Sequence, residues 1–321
     1  MPEKITRRSF LKTSAVIGAT SFIASDIVTN LALAEGEVDI AVVSGDDYFK
    51  NALAAVKQLG GIKRFVPEKS SVAVLANPQR NNPGAFTNPE VLRAVLRMCK
   101  NAGAKQVDCI SLQSQKSWDN TGLAKVIKEE KANLPLVDRK DKTQFKTVPI
   151  PKGIALKEAR IMNTFFEYDV FINVPVTKDH AGNKFTGAMK NLMGINSQQN
   201  NRTFHKKNWT TDINSIRHLD QCIADLNTIV KPDLCVVDAT EFITTNGPFG
   251  PGKLAKPHKV VAGTDRVAID SYCCTLWGLK GEDIIAITRA YEHGLGEMNL
   301  KKVKISELKL ETTIKTLAPY K

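Results

Sequence analysis

Between Pro175 and Gly194 the chain reads Pro-Val-Thr-Lys-Asp-His-Ala-Gly-Asn-Lys-Phe-Thr-Gly-Ala-Met-Lys-Asn-Leu-Met-Gly, which packs three lysines, one histidine, two asparagines and three glycines into one short stretch. Few core segments have that composition. The apolar run Val170–Val174 immediately before it reads as a buried strand, so Lys178 and His180 are delivered to a carboxyl end, where open α/β sheets bind their ligands. Thr186 is placed to cap a short helix whose first amides, near Gly187 and Ala188, would point at a bound anion. Lys190 lies one helical turn after Thr186, and Asn191 follows it. A positive, amide-lined pocket results, suited to a carboxylate, a phosphate or an anionic cofactor. Lys178 and His180 are its candidate catalytic groups; Thr186, Gly187, Lys190 and Asn191 are its candidate binding groups. His205, beyond a polar connection, can return to pair with His180 as a metal ligand. The competing reading is a solvated loop followed by a capped helix, with His180 at the surface.

Two further segments bear on this edge. Asp238 closes the apolar run Leu234–Val237 and is a candidate acid or base, with Glu241 and His258 following. Gly247-Pro248-Phe249-Gly250-Pro251-Gly252-Lys253 has the spacing of a phosphate-binding P-loop up to its lysine. It fails on chemistry: Leu254 stands where a magnesium-binding hydroxyl is required, and Pro248 and Pro251 delete amides that would cradle phosphate. Gly247, Gly250 and Gly252 are instead expected in a loop covering the ligand, and Asp265 as a helix N-cap.

The six cysteines are Cys99, Cys109, Cys222, Cys235, Cys273 and Cys274. The first four sit among apolar neighbours and read as small core hydrophobes. Cys273 and Cys274 are adjacent on an expected helix and point about 100° apart, so they do not easily share one metal within a chain. A cluster bridging two copies of the chain through Cys273 or Cys274 escapes that argument and would make the protein a homodimer. Zinc patterns and the basic, aromatic stripes of nucleic-acid binders are absent, so nucleic acid is not an expected partner.

The elements that must position these residues follow from periodicity. Short β-branched runs at 38–43, 71–76, 107–112, 170–174 and 234–237 read as buried parallel strands. Helical spacing covers 47–59, 89–102, 121–131, 155–166 and 213–230. Strand and helix therefore alternate, which predicts a layered α/β fold with a mostly parallel sheet and helices on both faces. Residues 35–321 form this domain, in one lobe or two, and residues 78–88 and 246–257 are its long loops.

The chain has 321 residues and a formal net charge of +12, which favours anionic ligands or surfaces. Its start is Arg7-Arg8-Ser9-Phe10-Leu11-Lys12, then an uncharged, largely apolar run from Thr13 to Ser25, then Ala32-Leu33-Ala34. This is the layout of an export signal over residues 1–34, too short in its apolar part for a permanent membrane span. The paired arginines resemble the twin-arginine signal, with Thr6 as the departure. That resemblance implies export in the folded state by the twin-arginine machinery, to the periplasm or an equivalent compartment. A general secretory signal is the alternative.

The runs Val174–His180 and Thr186–Gly194, with the later Gly263-Thr264-Asp265-Arg266-Val267-Ala268-Ile269-Asp270, resemble the blocks of the domain of unknown function 362. That resemblance implies an α/β domain often associated with iron–sulfur proteins, hence an iron–sulfur cofactor and a redox or enzymatic role. No Cys-x-x-Cys-x-x-Cys run accompanies it here. The order His180, Lys190, His205 is also similar to that of the nickel-dependent lactate racemase group, in which such residues hold a nickel-pincer cofactor. A periplasmic module that binds an anion without turning it over is the non-enzymatic alternative.

Overall fold

The computed structural model describes residues 38–310, so the proposed export signal lies outside the described residues. In chain order the strands are β1 Ile40–Ser44, β2 Ser71–Ala76, β3 Gln106–Cys109, β4 Phe145–Pro149, β5 Glu158–Met162, β6 Val170–Val174, β7 Lys178–His180, β8 Lys184–Thr186, β9 Leu234–Ala239, β10 Phe242–Ile243, β11 Leu254–Ala255, β12 Lys259–Gly263 and β13 Ile305–Lys309. The α-helices are α1 Tyr48–Gln58, α2 Pro89–Asn101, α3 Gln115–Asn120, α4 Leu123–Glu129, α5 Ala188–Asn191, α6 Gln198–Phe204, α7 Ile213–Asn227, α8 Arg266–Thr275 and α9 Ile285–Glu292. No helix among the described residues is long and apolar enough to cross a membrane.

A seven-stranded sheet in the order β13-β1-β12-β9-β6-β2-β3 forms the centre. Only β12 runs against its neighbours, antiparallel to both β1 and β9. Successive residues of a strand face opposite sides, and the core divides accordingly. Ile40 and Val42 of β1 pack with Leu192, Leu219, Ile223 and Ile269 on one face. Ala41 and Val43 pack with Val56, Leu92, Val95 and Trp118 on the other. This is the layered α/β architecture expected from the alternating pattern.

The helical spacing at 155–166 proves misleading. That segment forms β5, which pairs antiparallel with β4, and a 3-10 turn at Asn163–Glu167. Three successive amides, of Ile154, Ala155 and Leu156, donate to Asp225 Oδ2 on α7 at 2.9, 2.7 and 2.8 Å. A carboxylate from a distant helix thus claims the donors that a helix start would leave free. The helix expected at 121–131 is α4, Leu123–Glu129, which Gly122 with φ +74° separates from the short α3 before it.

Candidate functional site

At the carboxyl ends of β2, β6 and β3 a cavity of about 220 Å³ opens, lined among others by Gln79, Gln113, His180, Thr186, Lys190 and His205. The segment between β6 and α5 crosses this edge as the short β7–β8 hairpin, which carries His180 and Thr186 to the wall. The helix α5 then presents Lys190 and Asn191.

Lys190 reaches only the Met193 sulfur, at 3.8 Å, and has no ion pair with a carboxylate among the described residues. Burial pushes its ammonium down to about 8, opposed by the charge of Asp220. The Thr186 hydroxyl beside it is buried with no hydrogen-bond partner. His180 Nδ1 lies 2.8 Å from the Ala181 carbonyl, and His205 Nδ1 lies 2.9 Å from the Asn201 carbonyl. A carbonyl only accepts, so each Nδ1 carries a proton and each Nε2 keeps a lone pair. Burial, then the charge of Lys190, lowers both imidazoles, His205 to about 4 and His180 well below its usual range. Both are therefore neutral at pH 7. Their ring centroids are 6.3 Å apart, and Trp209 packs on both, at 5.0 and 4.9 Å.

The remaining sequence candidates are placed differently. Lys178 is fully buried behind the wall, donating to the Ala85 carbonyl at 2.6 Å and to Gln79 Oε1 at 3.3 Å. Burial, then Lys190, pushes it down to about 7. By occupying Oε1 it leaves the Gln79 NH₂ as the free end of an amide that lines the cavity. Lys178→Met is therefore expected to weaken anion binding only about tenfold, the effect of one charge acting at a distance, in calorimetric titrations with formate. Asn191 lines the cavity, but its amide ties α5 to the sheet, donating to Asn173 Oδ1 at 2.8 Å and the Leu75 carbonyl at 3.2 Å.

Thr186 ends β8 and does not cap α5; Gly187 is the N-cap. The amides expected to face an anion are already taken, because Asp270 of α8 accepts from Ala188 N at 2.6 Å and Met189 N at 3.0 Å. Asp238 does not reach the cavity. It is buried and accepts from Asn88 N at 2.6 Å and from the Thr240 amide and hydroxyl at 3.0 and 2.7 Å, a bracket between α2 and β9. Glu241 and His258 meet Tyr48 instead, whose hydroxyl lies 3.3 Å from Glu241 Oε1 and 2.9 Å from His258 Nδ1.

Pro248 touches the cavity, whereas Gly247, Gly250 and Gly252 do not line it. Gly247 packs on β7, its amide donating to Asp179 Oδ2 at 2.7 Å, and a Cβ there would stand 1.8 Å from the Asp179 carbonyl oxygen. Gly250 lies against Asn82, and Gly252 against the Thr245 carbonyl. These glycines let the loop approach the site and do not themselves bind.

Cys273 and Cys274 are buried in α8, and all six cysteines are free and buried. Burial raises every thiol, those of Cys99, Cys222 and Cys235 to about 12. No cluster of three or more histidine, cysteine, aspartate or glutamate side chains able to hold a metal occurs among the described residues. The cysteines do not fit an iron–sulfur cluster, and a bridge between two copies through Cys273 or Cys274 is closed off by their burial. Sequence reasoning missed Gln79, Trp209, Asp220 and Asp270. Of these Asp220 left a signal, a carboxylate set between Leu219 and Ile223 on a largely apolar stretch of helix.

Fold and cavity together define an α/β protein with a cavity lined by Lys190 and two imidazoles at the carboxyl edge of its sheet. The chain belongs to the family described as Domain of unknown function (DUF362), whose model matches residues 72–275. Among solved structures it is similar to the lactate racemase apoprotein from Thermoanaerobacterium thermosaccharolyticum, at 14% identity and a TM-score of 0.45, over 75% of this chain and 60% of that one. It is also similar to a structural-genomics protein from Thermotoga maritima, at 13% identity and a TM-score of 0.42, over 78% of this chain and 59% of that one. The chain thus spans about 60% of the length of the first of these. No curated protein matches it.

Proposed function

We propose that the protein is an exported enzyme that binds a small anion beside Lys190 and moves a proton through His180 or His205. The observation that carries this reading is that no carboxylate among the described residues contacts Lys190, in a cavity whose other titratable lining groups are two neutral imidazoles. An ammonium so held has no counter-charge in contact, only the more distant Asp220, and a bound carboxylate or phosphate-like group supplies one. Gln79 and Thr186 add donors to the same ligand, while each Nε2 lone pair can accept its proton. A module that only holds an anion has no use for two imidazoles with fixed tautomers. The cavity lies below the 300–1,000 Å³ usual for drug-sized ligands, which favours a small molecule over a nucleotide.

Six buried, unpaired thiols support the folded, twin-arginine route of export, since a chain threaded unfolded into an oxidising compartment would expose all of them to mispairing. A second reading draws on the two imidazoles: each donates Nδ1–H to a carbonyl, the arrangement that orients histidines toward a metal, with Lys190 in the same cavity for a nickel-pincer group. A metal there would supply a Lewis acid beside the anion. The experiment is calorimetric titration of the mature protein with formate, sulfate and phosphate, paired with metal analysis and absorbance of protein taken from its native host. Binding of at least one anion, lost in Lys190→Met, is expected. No binding above background rejects the first reading, and the absence of stoichiometric metal or colour rejects the second.

A further inference from the structure

The buried carboxylate behind Lys190 has no place in the scheme so far. Asp220 projects from α7, is 1% exposed, and makes its one side-chain hydrogen bond with Asn183 Nδ2, on the turn between β7 and β8. No cation touches it among the described residues. Asn183 itself is left with a buried Oδ1 that has no partner. Asp220 is therefore a buried carboxylate with one amide donor and no cation in contact. A neutral Asp220 carboxyl needs no cation, and its carbonyl oxygen still accepts from Asn183 Nδ2, so the carboxyl can take up a proton without giving up the hydrogen bond it has.

We propose that Asp220 is the proton-accepting counter-charge of the cavity, so that a small anion binding beside Lys190 is accompanied by uptake of one proton onto the Asp220 carboxyl. The proposal rests on the anion-binding reading above and adds its regulation by pH. Before binding, Lys190 is the one cation acting on Asp220. The other elements packed on α7 supply no competitor: Arg202 of α6 is exposed, His205 is neutral, Arg289 of α9 pairs with Glu292 at 2.6 Å, and His293 after α9 pairs with Asp225 at 2.9 Å. Lys178 lies behind Gln79 and Lys184 is solvent-exposed. An incoming anion takes up the field of Lys190 and adds a negative charge, and both changes favour the neutral carboxyl. Burial already pushes Asp220 up to about 7, so the proton is available near neutral pH. The balance is simple: the anion stays ionised, the solvent gives one proton, and Asp220 COO⁻ becomes COOH.

Infrared difference spectroscopy of the mature protein at pH 8 tests this, with ¹³C-formate and separately with sulfate as the added anion. The expected spectrum loses one carboxylate band and gains one protonated-carboxyl band per anion bound, and Asp220→Asn removes that pair of bands. The ¹³C shift of the Asp220 carboxyl in the wild type gives the same reading should the variant not fold. Anion binding without a new acid band, or a band that survives in a folded Asp220→Asn protein, overturns the proposal and leaves the anion site standing. Failure of both anions to bind rejects the anion site itself.

Discussion

Lys190→Met is expected to lower the affinity for formate or sulfate about 100-fold, on the order of 3 kcal/mol, while Lys184→Met changes it less than about twofold. The two lysines are six residues apart and differ in everything that matters. Lys190 reaches the cavity and has no carboxylate partner, so its attraction for an anion is weakly screened. Lys184 sits exposed at the start of β8 with φ +64°, where water competes for its charge. The same argument fixes a pH dependence. A bound anion favours the protonated amine, so the complex holds more protons than the free protein once Lys190 begins to lose its own, near pH 8. Affinity therefore falls as pH rises through that value. Titration at a series of pH values in cationic buffers checks both; equal losses in the two variants would return the segment to a solvated loop.

The sheet was largely legible because its strands are apolar on both sides, and β2, β6 and β9 are buried along their whole length. What periodicity could not reveal was set by partners far away in sequence. The segment at 155–166 has helical spacing, yet Asp225, some seventy residues later, takes its amides and leaves β5 to pair with β4. The site divides in the same way. His180, Thr186, Lys190 and His205 were readable because one short, cation-rich stretch and a returning histidine carry them, and they line one cavity. Lys178 lies behind the wall and not in the pocket its spacing predicts, since a strand pattern gives the edge a residue reaches but not what fills the space in front of it. Gln79 fills that space and comes from a loop with no period of its own. Asp238 looked like an acid at a strand end; the amides of Asn88 and Thr240 and the Thr240 hydroxyl absorb it into the scaffold.

Gly187→Ala is expected to destabilise the protein by on the order of 4 kcal/mol, a fall of about 10 °C in the melting temperature. Gly187 has φ −151°, which any residue adopts, so the penalty is steric and not conformational. An added Cβ would lie 2.2 Å from Asp270 Oδ1 and 2.6 Å from Phe185 Cε1. Asp270 cannot give way cheaply. Its two oxygens hold the first two amides of α5, and moving them leaves those donors and a buried carboxylate unsatisfied, each at about 1–3 kcal/mol. Gly294→Ala is the control, with φ +70° but nothing within 4 Å of the added carbon, and should cost only about 1 kcal/mol of backbone strain. Because the clash and the lost cap are one event, Asp270→Ala combined with Gly187→Ala should cost clearly less than the sum of the two single changes. Thermal melts of the four proteins measure this. Additive losses would mean that Asp270 does not hold α5, and the helix that carries Lys190 would need another anchor.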